Sequence, residues 1–212
     1  LDRVDAGISP ALLEAAVAQV TAMGWRPEAL QAAAAEVGMA WPVAQAWLPK
    51  GLTSLLEALA QTWSQEFAAQ IPNMDLESMR TTARVRALVL AKLAVLEPYH
   101  PIFGGLQRAT LRHPSLGITV QRGIWQTADQ IWRAAGDRAT DHNWYSKRLL
   151  LSGVYASTLW FWAKQPLTDA ARTATADFLD RRLHNVHQLA AVKTTKWRPQ
   201  QLFHLFKTPE AS

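Results

Sequence analysis

The chain has 212 residues, 49% hydrophobic and 18% charged, a balance that excludes wholesale disorder and leaves ample apolar surface for a core. It has no cysteine, which excludes disulfides, thiolate nucleophiles and Cys-ligated zinc and fits a reducing compartment. The net charge of +5 suits either nucleic-acid phosphates or anionic lipids, so the placement of the cations must discriminate between them.

The N-terminal residue is Leu1 rather than methionine, so a trimmed or processed N-terminus is expected, and the remaining sequence shows no secretory signal. The chain reads as helix almost throughout. Apolar residues recur at three- and four-residue spacing, and alternating strand patterns are missing. Ser9 and Pro10 open a first helix, striped by Leu12, Leu13, Ala16, Val17 and Val20 and ended by Gly24. A second helix is predicted over 27–37 and stops at Gly38. A short third begins at Pro42 and ends near Leu48, and Pro49-Lys50-Gly51 turns the chain into a fourth. Three short helices with glycine-marked turns make a helix-turn-helix head. Their order, through "MGW", "ALQAAAAEVGM" and "LPKGLTSLLEAL", resembles the TetR family, in which the third helix enters the DNA major groove.

Further helices are predicted over 52–70, 75–97, 101–112, 115–135, 143–164 and 168–190, broken at Pro72, Pro98, Pro114, Gly136 and Pro166. In the 75–97 helix, Val85, Leu88, Val89, Leu93 and Leu96 share a face, and Arg84, Arg86 and Lys92 are placed off it. Residues 149–163 carry no charge. That run is short of the ~20 residues a membrane span needs, so it should be buried on most sides or line an apolar cavity. The fold expected is therefore all-α and TetR-like: a head over 1–51, a larger helical bundle over 52–192, and a tail over 193–212.

Major-groove readout needs polar or basic side chains aimed at base edges. The third helix, "WPVAQAWL", offers Gln45 and no cation, with Arg26 and Lys50 flanking it. So few cations would bind duplex weakly at physiological salt, and no nucleic acid is expected as a partner. Trp41 and Trp47 are expected to pack the head onto the body.

The stretch 135–155 reads "AGDRATDHNWYSKRLLLSGVY". Gly136 suits a left-handed helix C-terminus, and Asp141 or Asn143 can cap the next helix. Trp144 and Tyr145 then fall in its first turn, either packed under the preceding loop or forming an exposed apolar patch. Through Ala135, Gly136, Asp137, Thr140, Asp141, Asn143, Trp144, Tyr145, Arg148, Leu150 and Tyr155, this segment resembles the signature of the coenzyme Q biosynthesis lipid-binding proteins. These are TetR-like proteins of mitochondria and alphaproteobacteria that assist the di-iron demethoxyubiquinone hydroxylase.

The resemblance implies a lipid-binding accessory protein of ubiquinone biosynthesis that presents an isoprenoid quinone precursor to the hydroxylase and is not itself an enzyme. It makes Asp141, Asn143, Trp144, Tyr145 and Arg148 the expected hydroxylase contacts, an aromatic pair beside arginine being the usual hot-spot composition. It also implies a lipid cavity. Val89, Leu93 and Leu96 could face Leu150, Val154, Leu159 and Trp160, with Leu116, Ile124 and Trp125 closing a third wall. A filled core would show the same periodicity.

In the tail, Trp197, Leu202, Phe203 and Phe206 lie among Lys196, Arg198 and Lys207, the composition of an interfacial amphipathic helix. The resemblance likewise implies membrane binding there; a helix docked on a dimer mate and a disordered tail are the alternatives. A homodimer through the last two body helices and a cytoplasmic location, peripheral to the inner membrane, complete these expectations. The rival function is a TetR-type repressor responding to an apolar ligand.

Other constellations fail on chemistry. Asp177, Asp180, His184 and His187 line one helical face, but a single helix cannot easily turn all four onto one ion. "EPYH" at 97–100 imitates the Glu-x-x-His of di-iron bundles without the second copy such a site needs. No Gly-rich phosphate loop or nucleophile elbow is present. No catalytic residue, metal or cofactor is expected.

Overall fold

The structure, a computed structural model, describes residues 8–137 and 142–192, with backbone alone at 142, 143 and 187–192. All described regular elements are helical. The head comprises α1 (Pro10–Met23), α2 (Pro27–Glu36) and α3 (Trp41–Trp47). The body comprises α4 (Leu52–Gln70), α5 (Thr81–Leu96), α6 (His100–Arg112), α7 (Pro114–Ala134), α8 (His142–Trp162) and α9 (Asp169–Val192). Short 3-10 turns at Ile71–Asn73 and Glu97–Tyr99 flank α5.

Proline and glycine punctuate the chain as their backbone preferences dictate. Pro10, Pro27, Pro42 and Pro114 occupy first-turn positions, where a missing N–H costs nothing. Gly38 and Gly136 take positive φ, 66° and 88°, and close α2 and α7 in the same way. Met39 N–H donates to Ala34 O and Gly38 N–H to Ala35 O; Asp137 N–H donates to Trp132 O and Gly136 N–H to Arg133 O. This paired arrangement satisfies the orphan carbonyls of a helix end.

One prediction fails on boundary. The helix expected from residue 75 begins at Thr81, because the preceding carbonyls are taken by a side chain. Arg84 donates from Nε to Met79 O at 2.8 Å, from Nη2 to Glu77 O at 3.2 Å and from Nη1 to Ala135 O at 3.2 Å. One guanidinium thus folds the 74–80 loop against the C-terminus of α7, an arrangement that helical periodicity does not encode.

The core runs without interruption from head to body, from Leu12 and Leu30 through Leu59, Leu88 and Ile131 to Leu179. Burial of such apolar surface supplies the driving force, about 25 cal/mol per Å². Trp25 pins the two parts together: it is buried, and its indole N–H donates to Ile102 O at 2.8 Å. Trp41 is half-buried against this core, whereas Trp47 and Val43 are exposed. Two bidentate pairs fasten α9: Arg86 to Asp180 at 2.6 and 3.0 Å, and Arg172 to Glu97 at 2.8 and 3.2 Å. Those partnerships also explain the motifs that imitate metal sites. Asp180 and Glu97 each serve an arginine, and His100 Nε2 sits 3.3 Å from Trp162 O.

Candidate functional site

Two features of the body stand apart from ordinary core packing. The first is a cavity of about 70 Å³ among α4, α5, α6, α7 and α8, roughly the room of five water molecules. Its apolar and aromatic wall includes Leu56, Trp63, Leu96, Phe103, Leu106, Ile124, Leu159 and Trp160. Its polar lining is Ser64, Lys92, Thr119, Gln126, Thr127 and Tyr155. Trp63 packs edge-on to Tyr99 at 5.5 Å and tilted on Phe103 at 5.4 Å, so its ring is held on two sides.

Four residues expected at a lipid site line this cavity: Leu96, Ile124, Leu159 and Trp160. Val89, Leu93, Leu116 and Val154 are buried in the core without lining it. Trp125 and Leu150 are half-buried and lie outside it. The walls supplied by α4 and α6 were not anticipated. Their stripes read as core, and a stripe does not reveal which of its residues borders a void.

Lys92 is the largest departure from expectation. Placed off the apolar face by the sequence reading, it is 3% exposed, and its ammonium donates to Trp63 O at 2.7 Å. Lys92 lies seven residues after Val85 and four before Leu96, so helical spacing puts it in the middle of their stripe. Phe67 offers its ring 5.3 Å from the ammonium. Desolvation pushes the Lys92 pKa from 10.5 down to about 8, opposed in part by Glu66.

The sign of the linkage follows. Above pH 8 the folded chain has released a proton that the unfolded chain keeps until about 10.4, so stability rises with pH across that window. Between pH 8 and 9.5 the gain should be roughly 2 kcal/mol. Above pH 10 Tyr155 opposes it, because burial holds that phenol protonated in the fold. Urea midpoints at pH 7.5 and 9.5 test this. Wild type should gain stability relative to Lys92→Met, and equal pH slopes for the two would refute the assignment.

The second feature is the α7–α8 junction. Arg148, expected as a surface contact, is 1% exposed, and that expectation is corrected: the guanidinium faces inward because two carboxylates hold it. Nε donates to Asp129 Oδ1 at 2.5 Å, and Nη1 to Asp137 Oδ2 at 3.3 Å and Trp144 O at 3.2 Å. Arg133 also pairs with Asp129 at 2.8 Å, and Lys147 with Asp137 at 2.7 Å. The face of Trp144 lies 3.9 Å from Arg148 Cζ, a cation–π contact, and Trp125 meets Trp144 edge-on at 6.2 Å.

Tyr145 packs at 4.6 Å on Trp144 yet stays 65% exposed, as does Leu149 one turn on. The two readings of the aromatic pair therefore divide between its members: Trp144 is packed and Tyr145 faces outward. Asp141, the Asn143 side chain, and Trp197, Leu202, Phe203 and Phe206 lie outside the described residues.

Comparison with known proteins meets this geometry directly. The COQ9 family profile matches residues 119–190, which takes in most of α7, all of α8 and nearly all of α9. Mitochondrial ubiquinone biosynthesis protein COQ9 of Bos taurus is 27% identical over 69% of this chain and 48% of its own length. The Rattus norvegicus protein is 26% identical over 87% of this chain and 61% of its own. A probable counterpart from Dictyostelium discoideum is 23% identical over 88% and 60%.

The chain is similar to COQ9.

It spans between about half and three fifths of those relatives' lengths. The fold has its own counterpart. A TetR transcriptional regulator from Nitrosomonas europaea superposes with a TM-score of 0.64 at 18% identity, covering 82% of this chain and 94% of that one. The all-α, TetR-like architecture expected from the sequence is thus observed. The COQ9-matched segment contains Arg148, Asp129, Asp137 and Trp144, and also the cavity residues Thr119, Val120, Gly123, Ile124, Gln126, Thr127, Tyr155, Leu159 and Trp160. Among the described residues no helix is long and apolar enough to cross a membrane.

Proposed function

We propose that this chain is a lipid-binding accessory protein of ubiquinone biosynthesis that presents an isoprenoid quinone precursor to the di-iron demethoxyubiquinone hydroxylase. The cavity carries this reading. It is mostly apolar, it lies among five helices, and much of its wall comes from the COQ9-matched segment. Concave sites of this kind, apolar with a few polar groups, are what small-molecule binding requires. The volume receives one end of such a molecule, and the remainder extends through the open side.

The exposed ridge of Tyr145 and Leu149 is the hydroxylase contact in this proposal, with Trp144 behind it as support. Membrane attachment rests on the sequence of the basic and aromatic tail around Trp197, Leu202, Phe203 and Phe206, and pairing of two chains through α8 and α9 belongs to the same proposal. The accessory role places the iron chemistry on the partner. Mass spectrometry of protein purified without detergent wash should recover a prenylated or acyl lipid at close to one per chain. Lipid-free protein from a quinone-producing host would count decisively against the reading. The repressor alternative gains nothing from the head, whose α3 turns Val43, Gln45 and Trp47 to solvent and contains no cation.

A further inference from the structure

One unsatisfied donor and one partly satisfied cation border the cavity. Trp63 is 7% exposed and lines it, and its indole N–H has no acceptor among the described residues. Lys92 is 3% exposed and lines it too, with one of its three N–H donors engaged, by Trp63 O. No carboxylate forms an ion pair with Lys92 among the described residues; Glu66 acts on it only at a distance. Buried charges are ordinarily paired, and buried N–H groups ordinarily find an acceptor. Here both requirements point at the same void, from adjacent helices and from residues already hydrogen-bonded to each other.

We infer that the Lys92–Trp63 end of the cavity binds the oxyanion head of an amphiphile, its apolar tail running along the Leu106–Ile124–Leu159 wall. A carboxylate or phenolate oxygen would accept from both the ammonium and the indole N–H. Such charge-assisted bonds are shorter and stronger than neutral ones, and the ligand would supply the counter-charge that the fold lacks. The aromatic lining from Trp63, Phe103, Tyr155 and Trp160 suits an aryl head as well as an acyl one. This inference rests on the lipid-binding reading and adds to it the chemical class of the head and its direction, inward.

The test uses the full chain and four probes: dodecanoate, 4-dodecyloxybenzoate and the methyl ester of each, titrated by calorimetry at pH 7. Each acid is expected to bind at least about tenfold tighter than its ester, the advantage of a charge-assisted hydrogen bond. Lys92→Met should abolish that preference, bringing each acid to the affinity of its ester, and Trp63→Phe should reduce it several-fold. The tighter acid tells whether an acyl or an aryl head is the natural class. Acids and esters bound equally, or a preference that survives Lys92→Met, would overturn the inference and leave the lipid reading intact. No binding of any probe would overturn both. Lys92→Met removes a buried cation that forms no ion pair among the described residues, so it leaves no counter-charge behind, although it takes the donor from Trp63 O; its melting curve confirms folding before titration.

Discussion

Replacing Arg148 with methionine is expected to lower the melting temperature by roughly 10 °C and to disorder the environment of Trp144. The guanidinium is buried between Asp129 on α7 and Asp137 beyond its end, and it also ties down the Trp144 carbonyl. Removing one partner of a buried pair typically costs about 3–5 kcal/mol, because uncompensated charge is left behind. Arg133 and Lys147 remain on the two carboxylates, which places the expected cost near the lower end, about 3 kcal/mol. For a chain of this size each kcal/mol is worth about 2–4 °C.

Arg148→Lys should recover part of the loss and no more. An ammonium keeps the charge but cannot span both carboxylates as the planar fork does, and it stacks less well on Trp144. Scanning calorimetry with near-ultraviolet circular dichroism reports both effects. A methionine variant that melts with wild type would show that the network contributes nothing.

The second large effect is on binding, and it separates presentation from scaffolding. Tyr145 and Leu149 are both 65% exposed, one helical turn apart on α8. Truncating either in the free chain should move the melting temperature by no more than about 1–2 °C, as exposed substitutions generally cost under ~0.5 kcal/mol. If this ridge contacts the hydroxylase, Tyr145→Ala should weaken the complex by about 2 kcal/mol, roughly thirtyfold. The double variant with Leu149→Ala should weaken it further. Arg148→Met should weaken it as well, but together with the loss of stability. Tyr145→Ala binding at wild-type strength would remove the ridge from the interface.

The sequence was most legible where local chemistry decides the structure. Proline at helix starts and glycine at Gly38 and Gly136 set boundaries because backbone sterics act over a few residues. The uncharged 149–163 run was expected to be buried on most sides or to line a cavity, and it divides between the two: Leu151 and Val154 are buried, Tyr155 and Leu159 are buried at the cavity wall, and Leu149 stays exposed. What escaped was long-range. Arg84 stops the chain before α5 from turning helical by bonding to carbonyls five and seven residues back and to Ala135, 51 positions away.

Lys92 and Arg148 escaped for a different reason, and here a signal was present. Each lies in register with an apolar stripe: Lys92 with Val85, Val89 and Leu96, and Arg148 with Leu151, Tyr155, Leu159 and Trp162. Lys92 was placed off the apolar face and the resemblance put Arg148 at a contact surface, so neither was read from its stripe position, yet both are buried. A cation at a stripe position is better read as a candidate buried group whose partner has to be found. For Arg148 that partner is a pair of aspartates. For Lys92 it is a carbonyl and a void.

The most direct measurement of the central claim is affinity capture of the di-iron hydroxylase by the full chain, followed by extraction and mass analysis of the lipid in the captured complex. The account predicts that hydroxylase and an isoprenoid quinone precursor are recovered together, and that Tyr145→Ala loses the enzyme while retaining the lipid. Hydroxylase captured without lipid, or lipid-loaded protein that captures no hydroxylase, would contradict it.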